Sequence, residues 1–149
     1  MTATWPFESE MVQVLYQHFL RQGYRAYLEV PCFSRNVDLV VELPEGLAAV
    51  ECKLTEWRRG LIQARHHLIA FDYSFVCLPN RQITNKMRRA FEEEGVGLLL
   101  LTVSEQGFRL QTVMEAPRSS EKVQLVQDSI LAILQRWSPG QTAAGGEER

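Results

Sequence analysis

The chain has 149 residues, 46% hydrophobic and 23% charged, which is ordinary globular composition and excludes general disorder. No run of eighteen apolar residues exists, so no membrane span is expected, and the N-terminal MTATWPFESEM lacks the basic and apolar regions of a signal peptide. The net charge of −2 gives no global case for nucleic acid, and three scattered cysteines without CxxC spacing suit a reduced cytoplasmic protein better than a disulfide scaffold or a zinc site.

Phe7 to Gln22 reads as a helix, with Met11, Val12, Leu15 and Phe19 at helical spacing and Gly23 as its stop. Tyr24 to Val30 reads as a strand ended by Pro31. Val37 to Leu43 and Leu47 to Leu54 are two more strands, close enough across Pro44-Glu45-Gly46 to form a hairpin. A second helix runs from Glu56 to Ala70 with Thr55 as N-cap, followed by a short buried strand, Tyr73 to Leu78. Thr84 to Glu94 is a third helix stopped by Gly95. Val96 to Val103 is a buried strand, and Phe108 to Glu115 pairs beside it through Gln106-Gly107. Lys122 to Trp137 is a last amphipathic helix, and the Gly-rich 138–149 reads as a disordered tail. The order implies one domain over 1–137, of α/β class, with a mixed sheet flanked by helices.

Local charge differs from the global balance. Between Lys53 and Arg89 eight positive residues face only Glu56 and Asp72, which is either a pair of solvated helix faces or a phosphate-facing surface. Charge also interrupts the hairpin strands, at Asp38 in VDLVV and at Glu51 and Lys53 in AAVECKL. Glu51 and Lys53 share one face of their strand. Asp38 joins them if Leu43 lies opposite Gly46 or Ala48, and falls on the wrong face if Leu43 lies opposite Leu47. Adjacent carboxylates repel unless a cation sits between them. A hard divalent ion does this with a few carboxylate oxygens and waters, and a nearby lysine can then orient an attacking water: the equipment for phosphodiester hydrolysis. The plainer reading is an ion pair at a strand end.

This hairpin, preceded by a helix and followed by a helix and a strand, resembles the PD-(D/E)xK (restriction-endonuclease-like) nuclease superfamily, with its αβββαβ core. Asp38 here follows Val37, where the motif's name has Pro. The resemblance implies that Asp38 and Glu51 ligate Mg²⁺, with Mn²⁺ as substitute and the Cys52 backbone carbonyl assisting, and that Lys53 is the catalytic lysine. Many members add a glutamate from the first helix. Glu8 lies on the core-facing stripe of that helix and Glu10 nearly opposite, which favours Glu8. In related nucleases a polar residue of the second helix, often glutamine, faces the catalytic strands, and Gln63 is the matching candidate. Arg35, Arg58, Arg59 and Arg65 are candidate phosphate contacts, and Trp57 reads as a helix anchor. His18, His66 and His67 lack the i, i+4 spacing of a zinc pair.

The resulting expectation is a cytoplasmic, Mg²⁺-dependent deoxyribonuclease whose partner is nucleic acid, DNA before RNA. Dimers are common among nucleases of this fold, and a separately encoded protein partner is compatible. The alternatives are a catalytically silent nuclease-fold assembly subunit and a small interaction domain carrying an ion-pair network.

Overall fold

The computed structural model describes residues 5–137, so the expected tail at 138–149 lies outside the described residues. Six strands form one mixed sheet in chain order: β1 (Arg25–Cys32), β2 (Arg35–Leu43), β3 (Gly46–Cys52), β4 (Tyr73–Pro79), β5 (Gly97–Ser104) and β6 (Gly107–Met114). β1 to β3 are an antiparallel meander; β3, β4 and β5 run parallel; β6 returns antiparallel. Helix α1 (Glu8–Arg21) precedes β1, α2 (Trp57–His66) and α3 (Asn85–Glu94) make the two parallel crossovers, and α4 (Gln124–Leu134) follows β6. The expected αβββαβ order is therefore present. No helix among the described residues is long and apolar enough to cross a membrane.

The layers follow from the two faces of each strand. Met11 and Leu15 of α1 pack on Leu39, Val50, Cys52, Cys77 and Leu99. On the opposite face, Ile130 and Leu134 of α4 pack with Tyr27, Val40 and Phe71, and Leu61 and Ala64 of α2 pack with Val76, Met87, Phe91 and Leu98. β4 and β5, covered on both sides and parallel, read in sequence as unbroken apolar runs for that reason.

Three local readings need correction. Pro31 does not end β1; it pairs with Asn36, and the strand continues to Cys32. β1 is an edge strand, where a residue lacking an N–H costs no inter-strand bond. Thr55 does not cap α2: Glu56 holds the cap position without a side-chain bond, and the Trp57 N–H donates to the Thr55 carbonyl at 2.9 Å. The helix also stops short of Ala70, with His67–Ile69 tightening into a 3-10 turn. Thr84 does cap α3, its hydroxyl accepting from the Met87 N–H at 3.1 Å.

Asp72, just before β4, ties three elements together. Its buried carboxylate accepts from the Leu47 N–H at 2.8 Å, from Lys122 Nζ at 2.8 Å, from Gln127 Nε2 at 3.1 Å and from Arg118 Nη1 at 3.2 Å. A Cβ on Gly46, whose φ is 151°, would run into that carboxylate, so the β2–β3 turn needs glycine there. Burial alone would raise the Asp72 pKa, but the Lys122 bond, the Leu47 amide and Gln127 outweigh it and hold the pKa below 3.8. A depressed carboxylate pKa contributes stability that is present above the unfolded value and lost as pH falls through the folded one. Asp72→Asn should therefore cost about 1–3 kcal/mol at neutral pH. In melts at descending pH, the gap between wild type and variant should close below about pH 4. A gap that persists in acid would place the effect elsewhere.

Candidate active site

The β2–β3 pairing aligns Leu43 with Gly46 and Leu39 with Val50, and one further step sets Asp38 opposite Glu51. This is one of the registers that unites the three charged residues. The Cys52 N–H donates to Asp38 Oδ2 at 2.9 Å, and the Asp38 N–H lies 3.3 Å from Glu51 Oε2. On its other side Asp38 faces Glu29, where the β1–β2 ladder skips a pair and the backbone turns left-handed, φ 51°. Leu28 and Leu39 pack beneath α1, whereas Val30 and Val37 pack on the opposite face. Residues two apart in a regular strand share a face, so both strands rotate at Glu29 and Asp38, and a polar hollow opens there.

That hollow, about 270 Å³, gathers residues from four elements distant in sequence: Glu8 from α1, Arg35 and Asp38 from β2, Glu51 and Lys53 from the end of β3, and Gln63 from α2. Glu10 is exposed and outside it. Glu8 Oε2 accepts from the Leu54 N–H at 3.1 Å, fixing the start of α1 against the end of β3. Lys53 extends β3 by donating its N–H to the Cys77 carbonyl at 3.0 Å. Its stem passes so close to α2 that a Cβ on Gly60 would stand 2.8 Å from Lys53 Cγ. A larger cavity, about 360 Å³, lies between α1 and the sheet, lined by Phe19, Leu43, Phe75 and Leu110 among others. It is mainly apolar and lacks the carboxylate pair, so the smaller hollow is where chemistry can occur.

Asn36 and His67 also line the hollow and were not foreseen. His67 is buried, with Nε2 3.6 Å from Glu51 Oε2 and Nδ1 lacking a partner. No zinc spacing marks it, and its role depends on the 3-10 turn that directs it inward.

The other basic candidates do not line the hollow. Arg58 and Arg59 are exposed on α2, with the Arg58 guanidinium 4.5 Å over the Trp57 ring. Trp57 in turn stacks on Phe91 at 6.1 Å, as an anchor would. Arg65 pairs with Glu94 at 3.1 Å and with Glu121 at 2.6 Å, joining α3 to the segment before α4.

Burial first, and then the neighbouring Asp38 charge, push the Glu51 pKa from 4.5 up to about 8. Burial likewise raises Asp38, against the opposing pull of the Cys52 amide, the Glu51 bond and Lys53. His67 moves the other way, down to about 4, through burial and the His66 and Arg35 charges. The three shifts are consistent: at neutral pH a neutral imidazole sits beside a carboxyl group that holds its proton because burial and the Asp38 charge outweigh the pull of Lys53.

The donor chemistry fits a hard divalent cation. The buried Glu51 and the half-buried Asp38 stand side by side, and Gln63 Oε1 is a buried acceptor with no partner. Among the described residues no three His, Cys, Asp or Glu side chains are already gathered as a metal cage. Asp38 and Glu51 are thus the core of the set, and Mg²⁺ usually completes its shell with waters.

No family model and no curated protein matches the chain. One similar solved structure is that of SfsA from Pyrococcus furiosus in complex with Ca²⁺, with 11% identity and a TM-score of 0.41 over 72% of this chain. The chain spans about 61% of that protein's length, and so remote a likeness says nothing about its chemistry.

The raised Glu51 pKa has a sign that can be checked. Between 4.5 and about 8 the folded state keeps a proton that the unfolded state releases, so stability falls as pH rises through that window. His67, lowered to about 4, works in the opposite sense below about pH 6.5, so in metal-free buffer the wild-type melting temperature should decline from about pH 6.5 to 8, and Glu51→Gln should flatten that decline. Parallel slopes for the two proteins would contradict the shift.

Proposed function

We propose that the protein is a metal-dependent nuclease of the PD-(D/E)xK kind, hydrolysing phosphodiester bonds in DNA. The observation that supports this most is the convergence of Glu8, Asp38, Glu51, Lys53 and Gln63, carried by α1, β2, β3 and α2, on one polar hollow. An acid kept protonated by burial, beside a second acid and a lysine, is costly as a structural device and suited to receive a cation. Asp38 and Glu51 would hold the ion, with the Cys52 carbonyl and Glu8 assisting. A bound Mg²⁺ supplies Lewis acidity toward the phosphate and makes water a better nucleophile.

The chain's own residues do the rest. Lys53 carries its positive charge into the hollow on a stem pressed against Gly60, available to orient the attacking water and to offset negative charge growing on the phosphate. Gln63 Oε1 offers an unsatisfied acceptor to a proton of that water. His67, neutral, backs Glu51 from the buried side at 3.6 Å. Arg35, exposed at the rim, is placed for a phosphate oxygen.

The test is incubation of purified protein with labelled single-stranded, duplex, branched and RNA substrates in Mg²⁺ or Mn²⁺, with EDTA as control. Lys53→Ala should reduce cleavage about 10²-fold or more. Gly60→Ala, which displaces the lysine without removing it, should lose roughly 10- to 100-fold while remaining folded. Cleavage that survives Lys53→Ala unchanged would sink the proposal, and tight binding with no cleavage under any metal would favour an assembly subunit.

A further inference from the structure

We propose that Phe33 is a stacking platform for an unpaired nucleobase at the mouth of the carboxylate hollow, so that the substrate is single-stranded or frayed nucleic acid and not continuous duplex. The inference rests on the nuclease reading of the site. Cys32 pairs with Arg35, leaving Phe33 and Ser34 as a two-residue hairpin loop. In such loops a residue with positive φ is usually glycine, asparagine or aspartate. Phe33 has a φ of 58° and is 71% exposed, so a bulky aromatic takes a backbone conformation that disfavours it and packs into none of the core clusters. A residue that breaks both local rules without a structural return marks a functional position.

Its surroundings indicate what covers it. Arg35 and Asn36, two and three residues on in the chain, line the hollow, so the loop that carries the aromatic ring leads directly to a guanidinium and an amide that suit a phosphate and a sugar. On another rim Phe7, 64% exposed, immediately precedes Glu8. An adjoining hollow of about 280 Å³ shares Glu8, Asn36 and Asp38 with the first and continues along α1 and β1, giving a trough. Glu8 and Glu29 line that part and repel phosphates, which directs the backbone to the Arg35 and Lys53 side and leaves a base free to turn toward Phe33. A ring can stack only on a base whose face is open, and in continuous duplex both faces are covered by neighbouring pairs.

The test compares one oligonucleotide sequence as single strand, as blunt duplex and as duplex with a single-stranded overhang. Binding is read by anisotropy with Ca²⁺ in place of Mg²⁺, and stacking by quenching of a 2-aminopurine in the unpaired segment. The single strand and overhang should bind more tightly than the blunt duplex. Phe33→Gly suits the turn, so its melting temperature should hold or rise while single-strand affinity falls roughly tenfold or more and quenching is lost. Phe33→Trp should keep both. Equal affinity for blunt duplex, no binding of any nucleic acid, or single-strand binding unmoved by Phe33→Gly overturns the inference. So does a change in self-association on Phe33→Gly with nucleic-acid binding intact, which would make the loop a protein contact. A parallel cleavage assay with Lys53→Ala separates the two proposals. Phe33-dependent binding without hydrolysis would retain the platform and remove the nuclease; hydrolysis indifferent to Phe33 would do the reverse.

Discussion

The pairing of β2 with β3 places Asp38 opposite Glu51, and most of the site follows from that one register. Two carboxyl groups are brought together where burial raises both pKa values against the opposing pull of Lys53. The protein responds by retaining a proton on Glu51 near neutral pH and by keeping His67 uncharged beside it. Such a pair is unfavourable as a structural device and suitable as a receptor for a small divalent cation.

Asp72 provides an internal contrast. It too is a buried carboxylate beside a strand end, but an amide, a lysine, an arginine and a glutamine surround it, and its pKa falls. The same chain thus compensates one buried acid fully and leaves a neighbouring pair, Asp38 and Glu51, with partners too few to offset the cost of burial. The compensated acid joins β3, β4 and α4 and stabilises the sheet. The carboxyl pair lies where Glu29 and Asp38 rotate the β1–β2 ladder and where α1, β3 and α2 converge. Strain and unsatisfied polarity are concentrated at this end of the molecule, as expected where function is built at the expense of local stability.

Much of this was legible in the sequence because it follows from short-range periodicity. The helical stripe distinguished Glu8 from Glu10, strand alternation put Glu51 and Lys53 on one face, and the element order anticipated the sheet. Register was narrowed but not decided, since it depends on the two-residue Pro44-Glu45 turn and on the Asp72 contact that demands Gly46, a partner 26 residues away. His67 was missed because the 3-10 turn that buries it leaves no periodic trace. The ion pairs of Arg65 were not foreseen because its partners, Glu94 and Glu121, come from elements that only tertiary packing brings near. The left-handed backbone at Glu29 and Phe33 was invisible for a simpler reason: neither residue type advertises positive φ.

The most direct measurement is the thermal melting of wild type and Asp38→Ala at neutral pH, each with and without millimolar Mg²⁺ or Mn²⁺. If the Asp38–Glu51 pair is a cation receptor, the ion should raise the wild-type melting temperature by several degrees and leave the variant unmoved. No shift in the wild type, or the same shift in both proteins, would contradict the cation site and leave the two carboxylates without an explanation.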